Sequence, residues 1–133
     1  MPIVLDANVT VDWFLPNMND VASTALDLVV ADGAVVPALW RWEVQDVLRR
    51  LDLAGKLTQS VDVICGELRE LPISVDDELT SVFGDEAAVS TRYNLTVYDA
   101  AYLELAIRLH APLATNDQSL VAAVQMAKLP PIR

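Results

Sequence analysis

At 133 residues the chain fits one domain, spanning residues 1–133, with enough length to bury most of the surface its unfolded form exposes. A hydrophobic content of 53% against 21% charged argues against disorder, and no apolar run approaches the ~18 residues of a membrane span. The net charge of −10, nineteen acidic residues against nine basic, disfavours holding a polyanion by a broad positive surface; a metal ion on acidic oxygens is another device for that task, and the plain alternative is that the charge serves solubility.

Val4 and Leu5 read as a short buried strand that delivers Asp6 at its end, with Asn8 two residues on. Residues 8–15 predict a short helix stopped near Pro16, and residues 20–31 a second that ends before Gly33. A strand at 34–36 leads to a helix over 39–54 closed by Gly55, then to a helix over 58–71 that starts at a Thr58 cap. Residues 73–75 form the third strand. Residues 76–93 read as helix, with a break near Gly84, and Asn94 suits the left-handed residue that ends it. Thr96 caps a helix over 97–110, which leads to a strand at 113–115, a last helix over 118–127 and a tail strand near Ile132. This alternation predicts an α/β fold, a central parallel sheet of about four to five strands flanked by helices. Without a signal peptide or a second cysteine, a reducing cytoplasm is the expected setting. Cys65 falls in the apolar pattern of Val61, Ile64 and Leu68 and reads as a buried structural thiol.

Ligands of parallel sheets bind at the carboxyl ends of the strands, and connectivity sends four acids there. Asp6 and Asp117 leave the first and last core strands at that edge. Glu43 sits near the start of the helix after the second strand, and Asp99 in the first turn of a helix that runs antiparallel to the strands. Each has a structural alternative: Asp6 and Asp117 can cap the helices that follow, Thr96 to Asp99 has capping-box spacing, and Glu43 can be a solvated charge at the margin of an apolar helix face. Together they repel, since two carboxylates ~4 Å apart cost about 4 kcal/mol at an effective dielectric near 20. A divalent cation relieves that repulsion, and oxygen-only donors suit Mg²⁺ or Mn²⁺ rather than zinc. Such a site can bind a phosphate oxygen, activate water and stabilise a leaving oxygen, which is metal-assisted phosphodiester hydrolysis. His110 lies at the far end of its helix from Asp99, and Asp12 reads as solvated. No Walker loop or Ser/His/Asp set is present.

The string RYNLTVYDAAYLELA, residues 92–106, closely resembles the third motif of PIN-domain ribonucleases, in particular the VapC toxins of toxin–antitoxin pairs. IVLDANV at the start resembles their first motif, Glu43 after VPALW their second, and LATNDQSL, residues 113–120, their fourth. The resemblance spans essentially the whole chain. It implies an Mg²⁺- or Mn²⁺-binding quartet of Asp6, Glu43, Asp99 and Asp117, with Asp6 and Asp99 as direct ligands and the other two acting directly, through water or on the nucleophile. Asn8 and Thr115 match supporting polar positions. It further implies an endoribonuclease that cleaves single-stranded or looped RNA, often tRNA or rRNA, through metal-activated water, that forms a homodimer and that is neutralised by a VapB-type antitoxin. Asn94 replaces the glycine common before this motif, and asparagine tolerates the same left-handed geometry.

Four of the nine basic residues, Arg41, Arg49, Arg50 and Lys56, fall between positions 41 and 56, and Arg50 shares a helical face with Glu43 as the candidate phosphate contact. Trp40 fits the core, Trp42 lies off the apolar face where a partner or an RNA base can cover it, and Trp13 packs under the first helix or against the antitoxin. Two alternatives remain: an aspartyl phosphotransfer protein, disfavoured by Asn8 and by the lack of a lysine after the last core strand, and a catalytically inert PIN-like binding protein.

Overall fold

β1 (Ile3–Leu5) is three consecutive buried aliphatic residues, as expected of a strand covered on both faces. It lies inside the sheet. β2 (Ala34–Val36) pairs with it on one side, Ile3 opposite Ala34, and β4 (Leu113–Ala114) on the other, Leu5 opposite Ala114. β3 (Ile73–Val75) extends the sheet beyond β2, giving the all-parallel order β3-β2-β1-β4. The computed structural model describes residues 1–77 and 82–133.

Helices make every crossover. α1 (Ala7–Asp12) and α2 (Asp20–Asp32) join β1 to β2, α3 (Leu39–Leu53) and α4 (Val61–Arg69) join β2 to β3, and α5 (Glu86–Tyr93) and α6 (Val97–Leu109) join β3 to β4. α7 (Gln118–Met126) follows β4. The chain thus builds outward from β1 through β2 to β3 and then returns to the other side of β1. That reversal between β1 and β4 is the switch point at which parallel sheets open a crevice at their carboxyl ends.

α6 lies centrally, as its sequence predicts: every residue from Ala100 to Ala106 is buried, and Leu103 and Leu105 each contribute about 1.5–3 kcal/mol of burial. Glu104 is tolerated in this run because Arg108, one turn on, donates to both its carboxylate oxygens and forks onto Asp76 after β3. Among the described residues no helix is long and apolar enough to cross a membrane.

Three expected elements differ. The helix before β3 starts at Val61, because the Ser60 side chain, not Thr58, accepts an N3 amide, that of Val63. The helix expected over 76–93 is only α5. Asp76, Asp77 and residues 82–85 are not helical, while 78–81 lie outside the described residues. The tail near Ile132 forms no strand and packs against the core as irregular chain, so among the described residues four strands form the sheet.

Candidate active site

Asp6 emerges from β1 with extended backbone and occupies the N-cap position of α1, yet its carboxylate makes no capping hydrogen bond. It accepts instead from Thr115 Oγ1 at 2.8 Å, and Asp6 is only 5% exposed. Thr115 follows β4 directly and is buried as well; its Oγ1 also accepts the main-chain N–H of Asp117 at 3.0 Å. One hydroxyl thus ties together the ends of the two strands that flank the switch point. The main chain of Asp6 is held separately. Thr10 Oγ1 donates to the Asp6 carbonyl at 3.2 Å and accepts the Trp40 indole N–H at 3.1 Å, which docks α3 onto α1 through buried groups.

Glu43, half-buried on α3, accepts a hydrogen bond from the Tyr102 hydroxyl at 2.5 Å. Asp99 sits in the first turn of α6, where its N–H donates to Thr96 Oγ1 at 3.1 Å. Asp117 is the N-cap of α7, and its Oδ1 accepts from the Leu120 N–H at 3.1 Å. The structural alternatives for Asp99 and Asp117 are therefore realised in part, and both residues also face other acids.

Electrostatics link the four. Burial pushes the Asp6 carboxyl up to about 6, and the charges of Asp99 and Glu43 act in the same direction, opposed by the Thr115 hydrogen bond and by the nearby Asn8 main-chain N–H. Burial raises Glu43, and Asp99 adds to that rise while the Tyr102 hydrogen bond opposes it. Burial also raises Asp99, with Asp117 pushing the same way and Thr96 opposing. The charges so form a chain from Glu43 and Asp6 through Asp99 to Asp117. Tyr102, 1% exposed, is driven well above the usual phenol range by burial and by the Glu43 carboxylate, so it stays a protonated donor.

Among the described residues no three Asp, Glu, His or Cys side chains are arranged to hold an ion at one point. The fit to a divalent cation rests on donor chemistry. The donors are all oxygen, no Lys or Arg pairs with the four acids among the described residues, and Asp6, Glu43 and Asp99 are each raised by burial first and by a neighbouring acid besides.

The remaining expected residues fall as follows. The Asn8 side chain is exposed and makes no hydrogen bond among the described residues; what Asn8 brings to Asp6 is its main-chain N–H, which lies close without capping geometry. Arg50 is exposed on α3 and pairs with Asp46 at 3.3 Å. His110 ends α6 in the left-handed conformation, at the opposite end from Asp99. Asp12 is half-buried rather than solvated and accepts from Asn116 Nδ2 at 2.9 Å. Trp42 is 61% exposed with Arg41 stacked 4.7 Å above its ring, and Trp13 donates to the Ala22 carbonyl at 2.8 Å. Cys65 is only partly buried; it lines a groove of ~270 Å³ between α3, α4 and β3 that contains none of the four acids.

Sequence reasoning missed Tyr102 and Asn116. Tyr102 stands three residues after Asp99, one helical turn along, and that spacing is the signal that places it on the same face. Asn116 sits between two residues already singled out.

The family model of the PIN domain matches residues 3–124. Ribonuclease VapC3 of Mycobacterium tuberculosis, from strains CDC 1551 and H37Rv alike, is 33% identical over 122 residues, covering 91% of this chain and 86% of that protein. Among solved structures, PAE2754 from Pyrobaculum aerophilum shares the fold with a TM-score of 0.69 at 18% identity, over 92% of this chain and 84% of that one. With a parallel sheet of matching architecture and a family match over nearly its full length, the chain belongs to the PIN-domain family and, within it, to the VapC-type ribonucleases.

Proposed function

We propose that the protein is a divalent-metal-dependent endoribonuclease, the toxin of a toxin–antitoxin pair, which hydrolyses RNA phosphodiester bonds and is neutralised by a VapB-type antitoxin. What supports this reading is that four different elements carry Asp6, Glu43, Asp99 and Asp117, with Asp6 near enough to feel the charges of Glu43 and Asp99, and Asp99 that of Asp117. Mg²⁺ or Mn²⁺ bound there supplies Lewis acidity toward a phosphate oxygen and toward the attacking water. Asp6 and Asp99 would hold the ion. Asp6 suits that task because Thr115 fixes its carboxylate on a buried strand end, so the donor moves little between states. Glu43 and Asp117 act directly or through water, and Arg50 is the candidate contact to the RNA backbone, free to leave Asp46 because their pair is exposed. The substrate class is single-stranded or looped RNA such as tRNA or rRNA, the chain acts as a homodimer, and its setting is the cytoplasm.

The test is incubation of purified protein with total RNA and Mn²⁺, beside Asp6→Asn and beside wild type in EDTA. RNA cleaved only by the wild type with metal supports the reading, and equal cleavage by both proteins overturns it. For the partner, co-expression with the product of a short reading frame immediately upstream should abolish cleavage; full activity of the co-purified complex would count against the antitoxin.

A further inference from the structure

We propose that Tyr102 is a positioning residue for this site, which holds the Glu43 carboxylate so that one oxygen is committed to the fold and the other is presented to a bound cation. The inference rests on the metal-dependent reading above. Tyr102 is among the largest fully buried side chains, on the central helix α6, three residues after Asp99. Its hydroxyl donates to Glu43 Oε1 at 2.5 Å, which bridges α6 to α3. Asp6 is near enough for its charge to act on the same hydroxyl, and the Ala7 main-chain N–H lies beside it without full hydrogen-bond geometry. A single phenol thus touches or faces the segments that carry three of the four acids.

A carboxylate on a half-exposed helix has three freely rotating side-chain bonds, and fixing it costs entropy each time a cation binds. A buried phenol with two torsions, packed by the sheet, bears that cost at folding. The Tyr102 hydroxyl spends its one proton on Glu43 Oε1 and so fixes that oxygen in place. Among the described residues Oε2 of Glu43 has no hydrogen-bond donor, so one oxygen is engaged and the other is available. Outer groups of this kind orient metal-binding carboxylates, and their loss typically weakens metal affinity by about 10–100-fold.

The experiment compares wild type, Tyr102→Phe, Glu43→Gln and the double variant. Mn²⁺ affinity is read by isothermal titration calorimetry on the metal-free proteins, together with melting temperature in EDTA and, with Mn²⁺ supplied, kcat and KM for an RNA substrate. Tyr102→Phe is expected to weaken Mn²⁺ binding about tenfold and to lower kcat with KM for RNA unchanged. In the Glu43→Gln background it should have no further effect on Mn²⁺. A variant that melts earlier but binds Mn²⁺ as wild type does would overturn the proposal, as would additive losses in the double variant. If Tyr102→Phe does not fold, Glu43→Asp replaces it: the shortened side chain withdraws from an intact Tyr102, and unchanged Mn²⁺ affinity there equally overturns the proposal. Failure of the wild type itself to bind Mn²⁺ marks failure of the functional reading instead.

Discussion

Oγ1 of Thr115 lies 2.8 Å from Oδ2 of Asp6 across 109 residues of sequence, and the same oxygen receives the N–H of Asp117. Thr115→Val therefore removes a donor and an acceptor together while nearly preserving shape. The variant is expected to lose about 1–3 kcal/mol of stability to denaturant. Asp6 should titrate still further above its present value of about 6, since the hydrogen bond that opposes burial is gone. Carboxyl-carbon NMR reads the second effect; an unaltered Asp6 titration would refute the assignment of that bond.

Asp6 also makes a pH-dependent contribution to stability. Folded, it holds its proton up to about pH 6, whereas the unfolded group ionises near 3.8. The folded state binds the proton more tightly, so the contribution is complete below the lower value and is lost as pH rises through the upper one. Asp6→Asn cannot ionise and still accepts from Thr115. In EDTA at neutral pH it is expected to be more stable than the wild type, by up to about 3 kcal/mol, with the gap closing as pH falls toward the unfolded value. Thermal melts of both proteins across pH check this, and parallel curves would contradict it.

Away from the site, Arg108 serves two largely buried carboxylates among the described residues, Asp76 at 2.8 Å and Glu104 at 2.9 Å. Arg108→Met withdraws the shared cation and is expected to cost about 2–4 kcal/mol. Glu104→Gln in the same chain should restore part of that loss. RNA cleavage at a temperature where both are folded should match wild type, because this cluster includes none of the four acids; a selective loss of cleavage would tie it to the site.

His110 ends α6 with φ of 49° and is exposed, a conformation that suits glycine. His110→Gly is expected to stabilise the chain by roughly 0.5–1 kcal/mol, the relief of left-handed strain less the added flexibility of the unfolded state. Denaturation midpoints check the sign, and destabilisation would show that the imidazole makes a contribution of its own.

The strand at 34–36 stands where its aliphatic run predicts it, because a buried parallel strand is a local pattern that ends where the apolar run ends, and the edge strand at 73–75 stands where Ile73 and Val75 alternate with the exposed Ser74. The edge at which the four acids would gather was equally legible, since it follows from connectivity alone. What the sequence did not disclose were choices made in three dimensions. Ser60 prevailed over Thr58 as a cap because the packing of α4 sets where its first turn begins, and both residues are chemically suitable. The bonds from Tyr102 to Glu43, Trp40 to Thr10 and Thr115 to Asp6 join residues far apart in the chain, and no spacing rule reports them. Asn8 was legible as a polar neighbour of Asp6, but whether side chain or main chain would face the carboxylate depends on how α1 starts.

The interior place of β1 has a consequence for endurance. Ile3, Val4 and Asp6 donate their amides to Gly33, Pro112 and Ala114, partners on both sides of the strand. Those amides exchange with solvent only when the sheet itself comes apart, whereas helix ends and surface chain open and reclose at far lower free energy. In a deuterium-exchange experiment the first acid of the cluster thus belongs to the slowest unit of the molecule. Its position should outlast every partial opening short of complete unfolding.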